Sequence, residues 1–216
     1  MKIFIRFTLV LLGLCFSLLS VAQETGTAKD TLWYLNGDYE LISDFQFVED
    51  GQILNYVNHK GKHRDVEVYY IYKIVKSDGS TKILYAPSMQ EEGDTLTVEE
   101  MGYFVNGGHK ANTEYKAPLS TIEGFVVGAG SPFLVASVGL NPFISIIIPA
   151  ANTTVVGVTS PRERKIIERY PELSKQPTFV EGYRQSAKRK RTKNSIKGSI
   201  VGLVAGITAV FIISAQ

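Results

Sequence analysis

Gly198-Ser199-Ile200-Val201-Gly202-Leu203-Val204-Ala205-Gly206-Ile207-Thr208-Ala209-Val210-Phe211-Ile212-Ile213 carries no charged side chain, and none follows it to Gln216. At 1.5 Å per helical residue, residues 198–216 cover about 28 Å, close to the hydrocarbon thickness of a bilayer. The stretch predicts a C-terminal transmembrane helix. Gly198, Gly202 and Gly206 recur every four residues and share one helix face, where the missing Cβ lets a neighbouring helix approach. Gly124 and Gly128 give an earlier apolar segment a similar notch. Three readings of this spacing compete: a fit between the two apolar segments of one chain, self-association, or the general abundance of glycine in membrane helices.

The charges upstream are unevenly distributed. Glu24 to Glu123 holds nine Lys and Arg against seventeen Asp and Glu, whereas Arg162 to Lys197 holds twelve against four. Residues 124–161 between them hold no charge. Acidic and basic blocks on either side of an uncharged run point to two compartments. The uncharged run is interrupted by Pro132, Pro142 and Pro149, which lipid tolerates only where a packed neighbour satisfies the freed carbonyls. Residues 119–161 read either as one kinked crossing or as a hairpin turning at Leu140-Asn141-Pro142, with a merely buried apolar core as a third option. The positive-inside tendency favours the single crossing, which places the basic connector 162–197 opposite the acidic domain.

Within the connector, Ser160-Pro161-Arg162-Glu163 predicts a capped short helix ending before Pro171. Thr178 and Glu181 predict a second capping box, opening one helix from about Phe179 to Ile213. Lys188, Arg189, Lys190, Arg191, Lys193 and Lys197 lie just before the apolar tail. A juxtamembrane basic cluster fixes topology and meets anionic headgroups. A nucleic-acid reading lacks an aromatic platform and is set aside.

At the other end, Lys2 and Arg6 precede an apolar core from Phe7 to Leu19, then Ser20-Val21-Ala22. This predicts a signal peptide over residues 1–22, cleaved after Ala22. Cys15, the chain's one cysteine, would leave with it, so no disulfide or thiol chemistry is expected. Residues 23–118 read as an exported β-rich domain. Short apolar runs at Leu32–Leu35, Leu41–Val48, Ile53–Val57, Val66–Val75 and Lys82–Tyr85 are separated by Asn36-Gly37, Asp50-Gly51, the polar run 58–65 and Asp78-Gly79. Asn-Gly and Asp-Gly pairs tolerate the positive φ of tight hairpins. Thr97-Val98-Glu99-Glu100 has capping-box form and opens a helix that reaches Pro118, weakened or broken at Gly107-Gly108. The expected fold is α+β: a small sheet or half-open barrel of about five strands, a helix, then a helical membrane region.

These landmarks resemble a group of exported, membrane-anchored proteins of Bacteroidetes-type bacteria. The resemblance rests on Asp30-Thr31-Leu32, Asn36-Gly37, Asp50-Gly51, Ile53-Leu54-Asn55-Tyr56, Lys73-Ile74 and Asp78-Gly79. Phe104-Val105-Asn106-Gly107 with Ala111 and Tyr115 extends it, as does Gly182-Tyr183 with Ala187, a Lys-rich stretch and spaced glycines. Gly108-His109-Lys110-Ala111 departs from the group, which tends to place an acid before the Ala. The resemblance implies architecture and compartment and brings no activity.

No residue set specifies a reaction. His59 and His63 are four apart, a metal-binding spacing on a helix, but here they fall in a Lys- and Gly-rich turn where solvated imidazoles are the simpler reading. Glu91-Glu92 and Glu99-Glu100 are adjacent pairs whose side chains diverge, unlike carboxylates that face each other across a cleft. The sequence contains no Gly-x-Ser-x-Gly elbow and no phosphate-binding Gly-rich loop. The expectation is a non-enzymatic envelope protein of the inner membrane, without cofactor, with membrane lipids and a protein or envelope component as partners. Its periplasmic sheet would bind or scaffold through Trp33, Tyr69, Tyr70, Tyr72 and Tyr85. An oligomeric assembly or pore on glycine-faced helices and an exported hydrolase are the alternatives.

Overall fold

A computed structural model describes residues 29–87 and 96–215; the expected signal peptide and the Glu91-Glu92 pair lie outside the described residues. The chain is α+β, with six strands followed by five helices among the described residues. The strands are β1 (Asp30–Tyr34), β2 (Tyr39–Val48), β3 (Ile53–Asn58), β4 (His63–Glu67), β5 (Ile71–Val75) and β6 (Thr81–Ile83). They form one antiparallel sheet in the order β4-β3-β2-β1-β5-β6.

That order forces the sheet to roll. β4 and β5 lie four strand spacings apart, about 19 Å if the sheet were flat. The short link from Glu67 to Ile71 reaches at most about 14 Å and is tightened further by a 3-10 turn over Val68–Tyr70. Val68 N–H donates to Gln52 O (2.8 Å) and Leu35 N–H to Tyr70 O (2.9 Å), so the turn bridges the start of β3 and the end of β1. The single strand expected over Val66–Val75 is therefore two strands on opposite sides of the roll, and the expected loop 58–65 shrinks because His63 already belongs to β4. Leu32, Ile42, Leu54, Ile71 and Ile74 fill the interior.

The helices are α1 (Val98–Glu114), α2 (Pro118–Ser137), α3 (Ile147–Val158), α4 (Glu163–Arg169) and α5 (Pro177–Ser214). The capping box at α1 is formed: Glu100 N–H donates to Thr97 Oγ1, and Thr97 N–H to the Glu100 carboxylate. Gly107-Gly108 do not break α1; both are buried, Gly107 against the α5 backbone and Gly108 against the β1–β2 turn and Ser186 of α5. Pro118 ends that run and starts α2 at its first position, since the residue before a proline is driven out of helical geometry. Tyr72, Tyr85, Met101 and Val105 pack the sheet onto α1, while Phe179, Val180, Tyr183 and Ile166 join α1, α4 and α5.

α5 is continuous over 38 residues, about 57 Å. Its contacts with α1 and α2 rise together along both partners: Phe104 with Gly182, Asn112 with Lys190, Thr121 with Gly198 and Ala129 with Gly206. α1 and α2 thus run parallel to α5, end to end. α3 runs the other way, because Phe143 meets Phe211 (ring centroids 6.0 Å apart) while Thr159 O accepts from Arg191 (3.1 Å).

For residues 119–161 this path has the form of the hairpin, the alternative to the favoured single kinked crossing. The segment leaves along α5 as α2, turns at Val138–Asn141, and returns through a 3-10 turn (Pro142–Ile146) and α3. Connector, sheet and α1 therefore lie at the same end of the apolar helices. Two other details also differ. α4 starts at Glu163 with no side-chain cap from Ser160. Pro177 opens α5 one residue before Thr178, whose buried hydroxyl caps nothing.

Candidate functional site

α2 and α5 are long and apolar enough to cross a membrane. Where they meet, the five predicted glycines sit against backbone. A Cβ built on Gly198, Gly202 or Gly206 would overlap the carbonyl oxygen of Thr121, Phe125 or Ala129. On the facing helix, a Cβ on Gly124 or Gly128 would overlap the carbonyl of Ser195 or Ser199. Both rows step by four residues, so the backbones interlock without side chains between them, in the geometry that brings Cα–H groups onto carbonyl oxygens. The same contact recurs higher up, where Gly107 meets Phe179 O and Gly182 meets Phe104 O. Those two positions were not among the predicted ones; their small-residue signal lies outside the apolar run.

The six predicted basic residues divide into two sets. Successive helical residues point about 100° apart, so Arg189, Lys190 and Arg191 fan out to three different elements. Arg189 donates to Asn36 O in the β1–β2 turn (2.9 Å), Lys190 to Asn112 O of α1 (2.7 Å) and Arg191 to Thr159 O just past α3 (3.1 Å). Asn112 lies in the last turn of α1, and Thr159 is the C-cap of α3. Carbonyls at helix C-termini lack intrahelical partners and carry partial negative charge, so cations are well placed there. The side chains of Lys188, Lys193 and Lys197 have no ion-pair or hydrogen-bond partner among the described residues.

One turn joins the sheet to α1 and α5. Gly37 holds φ +80° and lies against the Gly108–His109 backbone. Asn36 O also accepts from Ser186 Oγ (3.2 Å), and Asp38 Oδ1 accepts from Asn112 Nδ2 (2.8 Å). Beside it, the His109 ring stands edge-on to Trp33 (4.9 Å) and Tyr39 (5.5 Å). Burial there, followed by the Lys110 charge, holds the imidazole below its usual value. At the far end of α1, Glu114 accepts from Tyr170 Oη (2.6 Å), Arg169 Nη2 (2.8 Å) and Lys110 Nζ (3.2 Å). The Tyr170 and Lys110 bonds keep its carboxyl below the usual range.

The proposed aromatic face separates in the same way. Tyr72 and Tyr85 are buried, donating to Val98 O and Leu96 O, and Trp33 packs beside them. They dock the chain's own helix. Tyr69 and Tyr70 remain on the surface, edge to face at 5.3 Å, with Tyr70 53% exposed. His59 is exposed in the β3–β4 turn, and His63 opens the edge strand β4. Among the described residues, no three His, Cys, Asp or Glu side chains gather into a metal-binding group. No protein-family model, curated protein or solved structure matches the chain.

Proposed function

We propose that this protein is a non-enzymatic anchor and binding module of the bacterial inner membrane, with its rolled sheet on the exported side. One observation carries the reading: the apolar helices are packed inside out, most fully where α2 and α5 meet. They bury mostly small residues in α2, α5 and the 3-10 turn, including Gly124, Gly128, Ser131, Ser145, Ser195, Gly198, Ser199, Gly202 and Gly206, with Pro149 and Val156 buried in α3. Their exposed positions are large and apolar, among them Ile122, Val126, Leu134, Ile147, Val155, Ile200, Val204 and Ile213. Lipid tails are as apolar as leucine, so such a surface carries no penalty in a bilayer, and close backbone packing of small residues holds the helices together. The signal peptide expected at residues 1–22 supports export of the sheet. α5, docked on α1 and α2 along its length, makes sheet and anchor one rigid unit, and Tyr69 with Tyr70 offers the surface for a protein or envelope partner. The five glycines make close contacts within one chain, which favours the fit between its own helices over self-association.

Single-cysteine labelling in intact cells and in lysates tests this. Lys60→Cys in the sheet and Lys175→Cys in the connector should both react with an impermeant maleimide from outside. Ala215→Cys should react only after lysis. Separation of positions 60 and 175 across the membrane, or release of the wild-type chain by alkaline carbonate, would sink the reading. For the binding face, a photo-crosslinking residue at position 70 should give a discrete adduct that one at position 60 does not.

A further inference from the structure

The side chains of three lysines of the basic cluster have no ion-pair or hydrogen-bond partner among the described residues, and they line one cleft. Lys188, Lys193 and Lys197 border a space of ≈ 620 Å³ between α5 and the end of α3, where a Cβ added to Gly157 would lie 3.2 Å from Thr192 Oγ1. No carboxylate among the described residues lines it. Arg189 also lines it but is committed to Asn36 and Ser186. Immediately below, along the same two helices, lies an apolar groove of ≈ 330 Å³ walled by Pro149, Ala150, Ile200 and Leu203. Ile196 borders both spaces and joins them. Ser199, which lines the lower groove, has a buried hydroxyl without a partner in the described structure.

The combined shape is amphipathic along one line: cations at the level where the charged part of α5 ends, then a greasy trough running into the apolar bundle. We infer that this groove holds one anionic phospholipid, its phosphate between Lys188, Lys193 and Lys197 and an acyl chain along Ile196, Ile200 and Leu203. Charge complementarity selects the headgroup: among the described residues the cleft offers three unpaired lysines and no anion, so a zwitterionic headgroup would bring an ammonium with nothing to meet it. The trough selects a lipid over a soluble phosphate, since only an acyl chain covers its apolar wall. The inference rests on the membrane reading above and adds a defined site and lipid class to it.

The test uses the full chain in nanodiscs of equal phosphatidylglycerol and phosphatidylcholine, released into native mass spectrometry. The wild type should retain one phosphatidylglycerol, enriched at least about tenfold over phosphatidylcholine. Lys188→Gln/Lys193→Gln/Lys197→Gln should fall to parity, while Arg164→Gln/Lys165→Gln on α4, outside the groove, should keep the enrichment. Ala150→Phe leaves every cation in place and fills the trough, so it should lower retention as well. Parity in the wild type, or undiminished enrichment in the triple variant, overturns the site. Displacement by glycerol 3-phosphate as readily as by lipid overturns the acyl-chain half. Failure of the wild type to enter nanodiscs is a separate result that brings down the membrane reading together with the site.

Discussion

Leu32, Ile42, Leu54, Ile71 and Ile74 fill the inside of the rolled sheet, whereas α2 and α5 meet through glycine and serine and turn their isoleucines and valines outward. The two regions share one chain and obey opposite packing rules. In the sheet, burial of apolar area away from water drives assembly. In the bundle, apolar area is indifferent to burial if lipid is the solvent, so stability comes from how closely backbones approach. Side-chain size therefore has opposite value in the two halves.

The largest test of that difference is Gly202→Leu. Its Cβ would overlap the Phe125 carbonyl, backbone that cannot swing aside. The loss should exceed about 4 kcal/mol, a range single substitutions reach only through gross misfit. Unfolding of the intact chain in detergent reads it directly. Val201→Leu, one residue away and outward-facing, should change almost nothing. Equal behaviour of the two would show that the helices are not interlocked.

A truncation sharpens the contrast from the other side. Leu54→Ala empties a fully buried position in the sheet and should cost about 2–5 kcal/mol. Val204→Ala removes two methyl groups from a position 64% exposed on the bundle, and in lipid should cost less than about 0.5 kcal/mol. A cost above about 1 kcal/mol at position 204 would mean that protein, rather than lipid, faces that surface.

How much of this is legible in the sequence follows from the range of the interactions. The α+β class, the capping box at Thr97 and the length of the last helix are local: each rests on side chains within four residues of one another. The roll of the sheet is not, because nothing in Val66–Val75 marks where one strand becomes two; the link's reach and the strand order decide it. The glycine spacing says that a helix comes close and is silent on which one. The path of residues 119–161 is also non-local: the positive-inside argument counts Arg189, Lys190 and Arg191 as free charges. In the fold they donate to carbonyls of the β1–β2 turn, α1 and the end of α3, which binds the basic connector to the sheet side.

The joint between the two regions offers its own matched pair. Gly37 and Gly79 both occupy hairpin turns at φ near +80°, where any Cβ adds roughly 1–2 kcal/mol of strain. At Gly79 nothing lies within 4 Å of the added atom, but at Gly37 it would meet the His109 and Gly108 backbone. Gly79→Ala should therefore cost only the strain, and Gly37→Ala about 1–3 kcal/mol more. Hydrogen exchange should also show loosening of Asn36–Asp38 and of the α1 segment around His109. Similar losses at both positions would mean that the turn does not hold the sheet on its stalk.

The smallest expected effect is a pH dependence seated at the same joint. His109 is held below its usual value first by burial between Trp33 and Tyr39 and then by Lys110; a hydrogen bond to the Gly37 backbone and the Glu114 and Asp38 charges only partly offset this. The unfolded chain therefore binds this proton more readily than the folded one. The stability it contributes is fully present above the unfolded value near 6.5 and is lost as pH falls through the lower folded value. Glu114, also depressed, adds a second loss further down, below about pH 4.5. Between pH 7 and pH 5 the melting temperature of the intact chain in detergent should drop by a few degrees, and His109→Phe, which keeps a ring and removes the titration, should flatten that interval while leaving the acid-side loss. An unchanged slope in the variant would place the midrange titration elsewhere and detach the imidazole from the docking of the sheet.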